Sequence, residues 1–250
     1  MTVPAAKRTL RSPFSTRHWK WGTGSPLFQP KMSVLDPTYT FTVSPYQTAA
    51  GSADIMSHIF EGYFSREDDC ELSDGIAETI LKTVMKYTPI ALQDPENYSA
   101  RANLMSCSSV ACSGIPEYGK ESTGWPCHAM EHELSAFYDI THGVGLAILT
   151  PRWMRFILKK DPTALPRFVR FAKNVMGLTG EDENALAQEA IDKLEAYFRS
   201  TGIPMTLREL NIDEEHFAVM AAHANLNDRL AHAFVPLTND DIVNIYRACL

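Results

Sequence analysis

The sequence predicts a mainly α-helical domain, and three observations carry that expectation. Apolar residues recur at helical spacing after Ser44, as with Ile76, Ile80, Leu81, Val84 and Met85. Start and stop signals bracket such runs: Ser44-Pro45 offers an N-cap with a first-turn proline, and Gly177 and Gly202 stand where two helices should end. Only "SVLDPTYTFTVSP" offers a strand, and at most a short one with turns.

The first 45 residues read as irregular, punctuated by Pro4, Pro13, Pro26, Pro30 and Pro37. "YQTAAGSADIMSHIFEGYF" then reads as a helix, and Ser73-Asp74 introduces a second, "GIAETILKTVMKYTPIAL". "ENYSARANLMSCSSVACSG" is rich in small residues and reads as a buried helix; "CHAMEHELSAFY" reads as a short amphipathic one. "HGVGLAILTPRWMRFILKK" begins at a histidine and carries Pro151 internally, which predicts a kink or a break. "ALPRFVRFAKNVMG", "ENALAQEAIDKLEAYFRSTG", "EEHFAVMAAHANL" and "NDDIVNIYRACL" complete the helical set, with no internal repeat or low-complexity tract.

Composition bounds the function. The 250 residues are 45% hydrophobic, enough for one substantial core or two small ones. A net charge of −7 argues against nucleic acid as the main partner. Residues 1–35 hold six basic residues and no acid, leaving 17 basic against 30 acidic residues in the remainder. No apolar run approaches the ~20 residues of a membrane span. The five cysteines show no C-x-x-C spacing, which suits idle thiols in a reducing cytoplasm.

Two pairs of residues point to a metal. His128-Ala-Met-Glu-His132 matches H-x-x-E-H, the inverted zinc-protease pattern, and His128, Glu131 and His132 share one helix face. Met130, Leu134 and Phe137 form a separate apolar stripe. Asp54 and His58 stand at i, i+4 among Ile55, Met56, Ile59 and Phe60, where an acid and a histidine are costly to bury unpaired. A hydrogen bond within a core helix would explain that pair alone; beside a second helix with paired histidines, a shared metal explains more. His142, in "DITHGVG", is a fifth candidate, since the small residues after it admit close approach. Asp54, His58 and two of His128, His132 and His142 would make an oxygen and nitrogen set suited to iron(II), zinc or another first-row dication. Spacing does not choose which two histidines complete it.

"QTAAGSADIMSHIFEGYF" and "CHAMEHELSAFYDITHGVGLAILTP" resemble, in order, the two signatures of the iron-containing (group III) alcohol dehydrogenases. "DPTYTFTV" and "MEHELSAFYDITHGVGLAI" are most similar to the NAD(P)H-dependent butanol dehydrogenase branch, and the likeness runs from about Ser25 to the C-terminus. The resemblance implies the helical metal-binding domain of a dehydroquinate synthase-like fold, with metal ligands Asp54, His58, His128 and His142. It places His132 near the nicotinamide and substrate, where it would relay a proton or orient the substrate. Glu131 and Glu133 acquire no part from it. The implied reaction is hydride transfer between NAD or NADP and a small primary alcohol or aldehyde such as butanol or butyraldehyde, with Fe(2+) or Zn(2+) as Lewis acid. One aspartate and three neutral histidines leave a dication with a residual +1, suited to a developing alkoxide. The implied protein is cytoplasmic, with no nucleic-acid or membrane partner and a homodimer left open.

The family's N-terminal α/β nucleotide domain, with its Gly-Gly-x-Ser phosphate loop, has no counterpart in this sequence. Residues 1–24 match nothing in the family and read as a basic, irregular leader before a metal-binding domain over 25–250. A truncated or frame-shifted gene product is the expectation, one that binds metal but turns over weakly or not at all, because nicotinamide positioning comes largely from that other domain. The main rival is a non-catalytic, metal-binding helical fragment. A metallopeptidase built on His128, Glu131 and His132 leaves Asp54 and His58 without a purpose. His216, His223, His232 and His18 read as ordinary surface or cleft histidines.

Overall fold

The computed structural model describes residues 31–250, together with a short antiparallel ladder pairing Lys7–Thr9 (β1) with Lys20–Gly22 (β2). Most of the leader expected over 1–24 lies outside the described residues. Nine α-helices follow among the described residues: α1 Pro45–Tyr63, α2 Glu71–Gln93, α3 Tyr98–Ala111, α4 Pro126–Tyr138, α5 His142–Lys160, α6 Leu165–Asn174, α7 Glu183–Ser200, α8 Phe217–Ala224 and α9 Asn239–Ala248.

Local chemistry sets the starts. Ser44 accepts from the Gln47 N–H ahead of Pro45, so α1 begins where its N-cap and first-turn proline predict. The segment expected to offer a strand is instead a 3-10 turn at Pro37–Thr40: the Asp36 carboxylate accepts from both Thr38 N and Thr38 Oγ1, at 3.0 and 2.8 Å. Asp-Pro turn chemistry thus outweighs a short alternation of β-formers. The second helix starts four residues earlier than expected, after Cys70, because Ser73 and Asp74 are engaged elsewhere. Ser73 donates to the Tyr118 carbonyl, and Asp74 is fully buried in an ion pair. Helix α5 continues through Pro151 without a break. The proline forfeits one intrahelical bond, and the near-continuous burial of α5 from Gly143 to Met154 holds the helix together.

The core gathers around α1, which packs on α2 and α5, while α4 packs on α5 and α8. Phe60, Phe64, Trp153, Phe168 and Phe171 interlock at its centre, with the Phe64 and Phe168 rings 4.7 Å apart. Beside them lies a buried ionic knot. Asp74 takes Lys120 Nζ on Oδ1 and Arg167 Nη1 on Oδ2, both at 2.5 Å. Both cations also lie over the Tyr63 ring, whose hydroxyl donates to Glu78 Oε1 at 3.1 Å. Lys120 belongs to the segment joining α3 to α4, so the knot ties that segment to the end of α1. Thr123 adds a second tie, donating to the Glu61 carbonyl at 2.7 Å.

Candidate metal centre

Three helices bring Asp54, His58, His128 and His142 together. Asp54 and His58 occupy successive turns of α1. His128 lies in the first turn of α4, and His142 is the first residue of α5. Asp54 Oδ1 stands 3.7 Å from His58 Nε2, 3.7 Å from His128 Nε2 and 3.5 Å from His142 Nε2. Burial pushes the Asp54 carboxyl up, but the His128, His142 and His58 imidazoles around it hold it well below the ordinary carboxylate range.

Close helix approach makes this convergence possible. A Cβ on Gly143 would fall 1.9 Å from the Ala50 carbonyl oxygen, so α5 meets α1 backbone to backbone beside His142. A Cβ on Gly145 would fall 2.7 Å from Glu131 Cγ, so that glycine makes room for a buried acid. Trp125 lies just before α4 with φ at +55°. Its ring meets those of His58 and His128 edge-on, with centroids 5.1 and 4.9 Å away.

Two acids back the histidines. Glu61 Oε1 accepts the His128 backbone N–H at 2.8 Å and lies 3.1 Å from His128 Nδ1. The first contact satisfies an otherwise orphaned first-turn N–H of α4, and the second turns Nε2 toward Asp54. Glu131, fully buried, accepts from Ser135 Oγ through Oε1 and contacts His142 Nδ1 through Oε2. The sequence reading gives neither glutamate this supporting role. For Glu61 the signal is an acid three residues after His58 in an apolar run; for Glu131 it is the shared face with His128, there set aside with the protease pattern.

His132 lies beside this cluster, its ring 5.5 Å from that of His142 and 6.2 Å from that of His128. Potential ligand atoms thus form two groups among the described residues: Asp54, His58 and His128, and Glu131, His132 and His142. His142 belongs to both sides, its Nε2 toward Asp54 and its Nδ1 on Glu131. The first side is where nitrogens from three helices face one oxygen; in the second, Glu131 is already committed to Ser135 and His142. A cavity of about 310 Å³ between α1 and α3 reaches Asp54 and His58. His223 is paired with Glu133, 3.0 Å away, and His232 closes a 3-10 segment at Leu226–His232; neither joins the cluster.

A helical domain whose half-buried carboxylate is ringed by imidazoles from three helices has the donor set of a metal-binding fold. Residues 48–250 match the family model for the C-terminal part of the Fe-containing alcohol dehydrogenases, and the chain belongs to that family. It is 50% identical over 230 residues to NADH-dependent butanol dehydrogenase A of Clostridium acetobutylicum, covering 91% of this chain and 58% of that protein. The crystal structure of a butanol dehydrogenase A from Thermotoga maritima superposes with a TM-score of 0.84 at 35% identity, over 92% of this chain and 59% of that one. Escherichia coli YqhD superposes with a TM-score of 0.86 at 30% identity, over 92% of this chain and 58% of that one. The chain therefore spans somewhat under two thirds of the length of these relatives. Among the described residues, no helix is long and apolar enough to cross a membrane.

Proposed function

We propose that this chain supplies the metal-binding, substrate-facing part of a nicotinamide-dependent alcohol dehydrogenase acting on small primary alcohols or aldehydes. One observation carries the reading: Asp54 Oδ1 has three imidazole Nε2 atoms at 3.5 to 3.7 Å. Direct N–H···O bonds are shorter, about 2.7–3.2 Å. Ligands at about 2.0–2.2 Å from a shared tetrahedral ion stand about 3.3–3.6 Å from one another. The donor set fits a first-row dication, iron(II) or zinc, held by Asp54, His58, His128 and His142.

When bound, that ion supplies Lewis acidity toward an alcohol or aldehyde oxygen. This chain's residues do the rest. Glu61 and Glu131 hold His128 and His142 through their Nδ1 sides and keep each Nε2 aimed at Asp54. Trp125 closes the edge of the cluster beside His58 and His128 and keeps water from that side. His132, adjoining His142 without entering the Asp54 ring of nitrogens, orients the substrate. Three carboxylates against one dication give the wider centre a formal −1, where the four inner side chains alone give +1. The butanol and aldehyde activities of its relatives are proposed for this chain in company with a nicotinamide-binding part, with NAD the coenzyme named for the butanol dehydrogenases.

Metal analysis of the purified chain and of its Asp54→Ala variant tests the centre. Near-stoichiometric iron or zinc, lost in the variant, is the expected result; unchanged metal in Asp54→Ala would return the site to His128 and His132. A second reading is metal binding without turnover. Butyraldehyde-dependent NADH oxidation by the metal-loaded chain separates the two. In an active preparation, His132→Ala should raise KM and lower kcat; unaltered kinetics would remove its role.

A further inference from the structure

Two arginines of this domain are buried, and only one has a counter-charge. Arg167, 5% exposed, pairs with Asp74. Arg101, 4% exposed on α3, donates from Nε to the Pro95 carbonyl at 2.8 Å and from Nη1 to Thr48 Oγ1 at 2.9 Å, both neutral acceptors. No carboxylate among the described residues lies within ion-pair distance of it, and residues 1–30 contain neither Asp nor Glu. Its Nη2 has no acceptor among the described residues. Burial draws the guanidinium below its ordinary pKa, the sign of a cation lodged without an anion.

Arg101 lines the cavity that reaches Asp54 and His58, together with the polar residues Gln47, Ser52 and Ser108. Buried charge is costly unless paired, and a planar fork with free donors suits the two oxygens of a carboxylate or phosphate. Thr48, which holds Arg101, precedes Asp54 by six residues on the same helix, about 9 Å along its axis at 1.5 Å per residue.

We propose that Arg101 is the recognition point for an anionic group, carboxylate or phosphate, carried by a ligand whose other end lies at Asp54 and His58. Two sources share that chemistry: the phosphates of a nicotinamide coenzyme, and the distal acid group of an aldehyde or alcohol that is also an acid. The metal-centre reading locates only the ligand's far end; anion binding at Arg101 stands apart from it and can be measured without metal.

The test titrates the chelator-treated 250-residue chain, calorimetrically and at low salt, with inorganic pyrophosphate and separately with glutarate. Chelation keeps the probes from reporting on a bound ion. Saturable binding of at least one probe is expected, weakened about tenfold or more in Arg101→Gln, as for loss of a charge-assisted pair. Arg101→Lys should keep part of the affinity through its charge, and Thr48→Val, which removes the staple but not the cation, should keep most of it. Pyrophosphate alone binding assigns the site to the coenzyme; glutarate alone assigns it to an acidic substrate. Lack of saturable binding by the folded wild-type chain overturns the proposal, as does equal affinity in a folded Arg101→Gln variant. Either result leaves the metal content of the Asp54→Ala comparison unaffected, so the two readings fail separately.

Discussion

Replacing Asp74 by Asn should be the most damaging single charge deletion in this domain. The side chain is fully buried and accepts from two cations at 2.5 Å, Lys120 and Arg167, whose own side chains are 1% and 5% exposed. Asparagine preserves the volume but leaves both cations without their shared anion, and one uncompensated buried charge costs about 3–5 kcal/mol. Against a total stability of about 5–15 kcal/mol, that is about a fifth of the margin or more. At about 2–4 °C per kcal/mol for a chain of this size, the melting temperature should fall by roughly 6–20 °C. Lys120→Met should cost less, because Arg167 still neutralises Asp74. Urea unfolding followed by circular dichroism reads both variants. Since Lys120 tethers the segment that ends at Trp125, Asp74→Asn should also weaken metal binding, measured by competition with a chromophoric chelator. A loss under about 1 kcal/mol with an unchanged urea slope would refute the view that Asp74, Lys120 and Arg167 form an obligate buried triad.

Glu131→Gln and Glu61→Gln should each lower metal affinity about 10- to 100-fold while leaving the helical circular dichroism intact, read by the same competition. Gly143→Ala puts a methyl group into the Ala50 carbonyl and should destabilise the fold by about 3 kcal/mol or more, with loss of metal, by thermal melting and metal analysis. Burial holds the thiols of Cys107 and Cys249 up at about 11 and about 12, and that of Cys127 well above its ordinary value. At pH 8 those thiols lie below their pKa and stay protonated, so a thiolate-specific disulfide reagent should label half-buried Cys70 and Cys112 and reach the other three only after unfolding.

The helical class was legible because most elements carry local signals that agree with their packing. Ser44-Pro45, Gly177 and Gly202 stand at helix ends in the structure as in the sequence. The misreadings share one cause. Ser73 and Asp74 look like an N-cap, but their side chains bond Tyr118, Lys120 and Arg167, which lie 45 to 93 residues away. Pro151 looks like a breaker, yet tertiary burial keeps α5 whole. The same holds at the centre. Asp54, His58, His128 and His142 could be named from spacing and resemblance, whereas Glu61 meets His128 across 67 residues with no periodic signature. Arg101 was hidden for the converse reason: its significance lies in the acid it lacks, and a sequence records only residues that are present.

The contact of Gly143 with Ala50 makes the centre a gauge. Side chains can turn to suit a larger ion, but two main chains already touching have no rotamers to spend. Asp54 lies one turn beyond Ala50 and His142 directly precedes Gly143, so the 3.5 Å between Oδ1 and Nε2 is measured from the helix crossing itself. An ion that wants ligands at about 2.3–2.6 Å, such as calcium, must pry α1 from α5, whereas one content with about 2.0–2.2 Å need not. In the proposed centre, selection by radius would thus reside in a glycine and an alanine, neither of which has a side chain that can ligate.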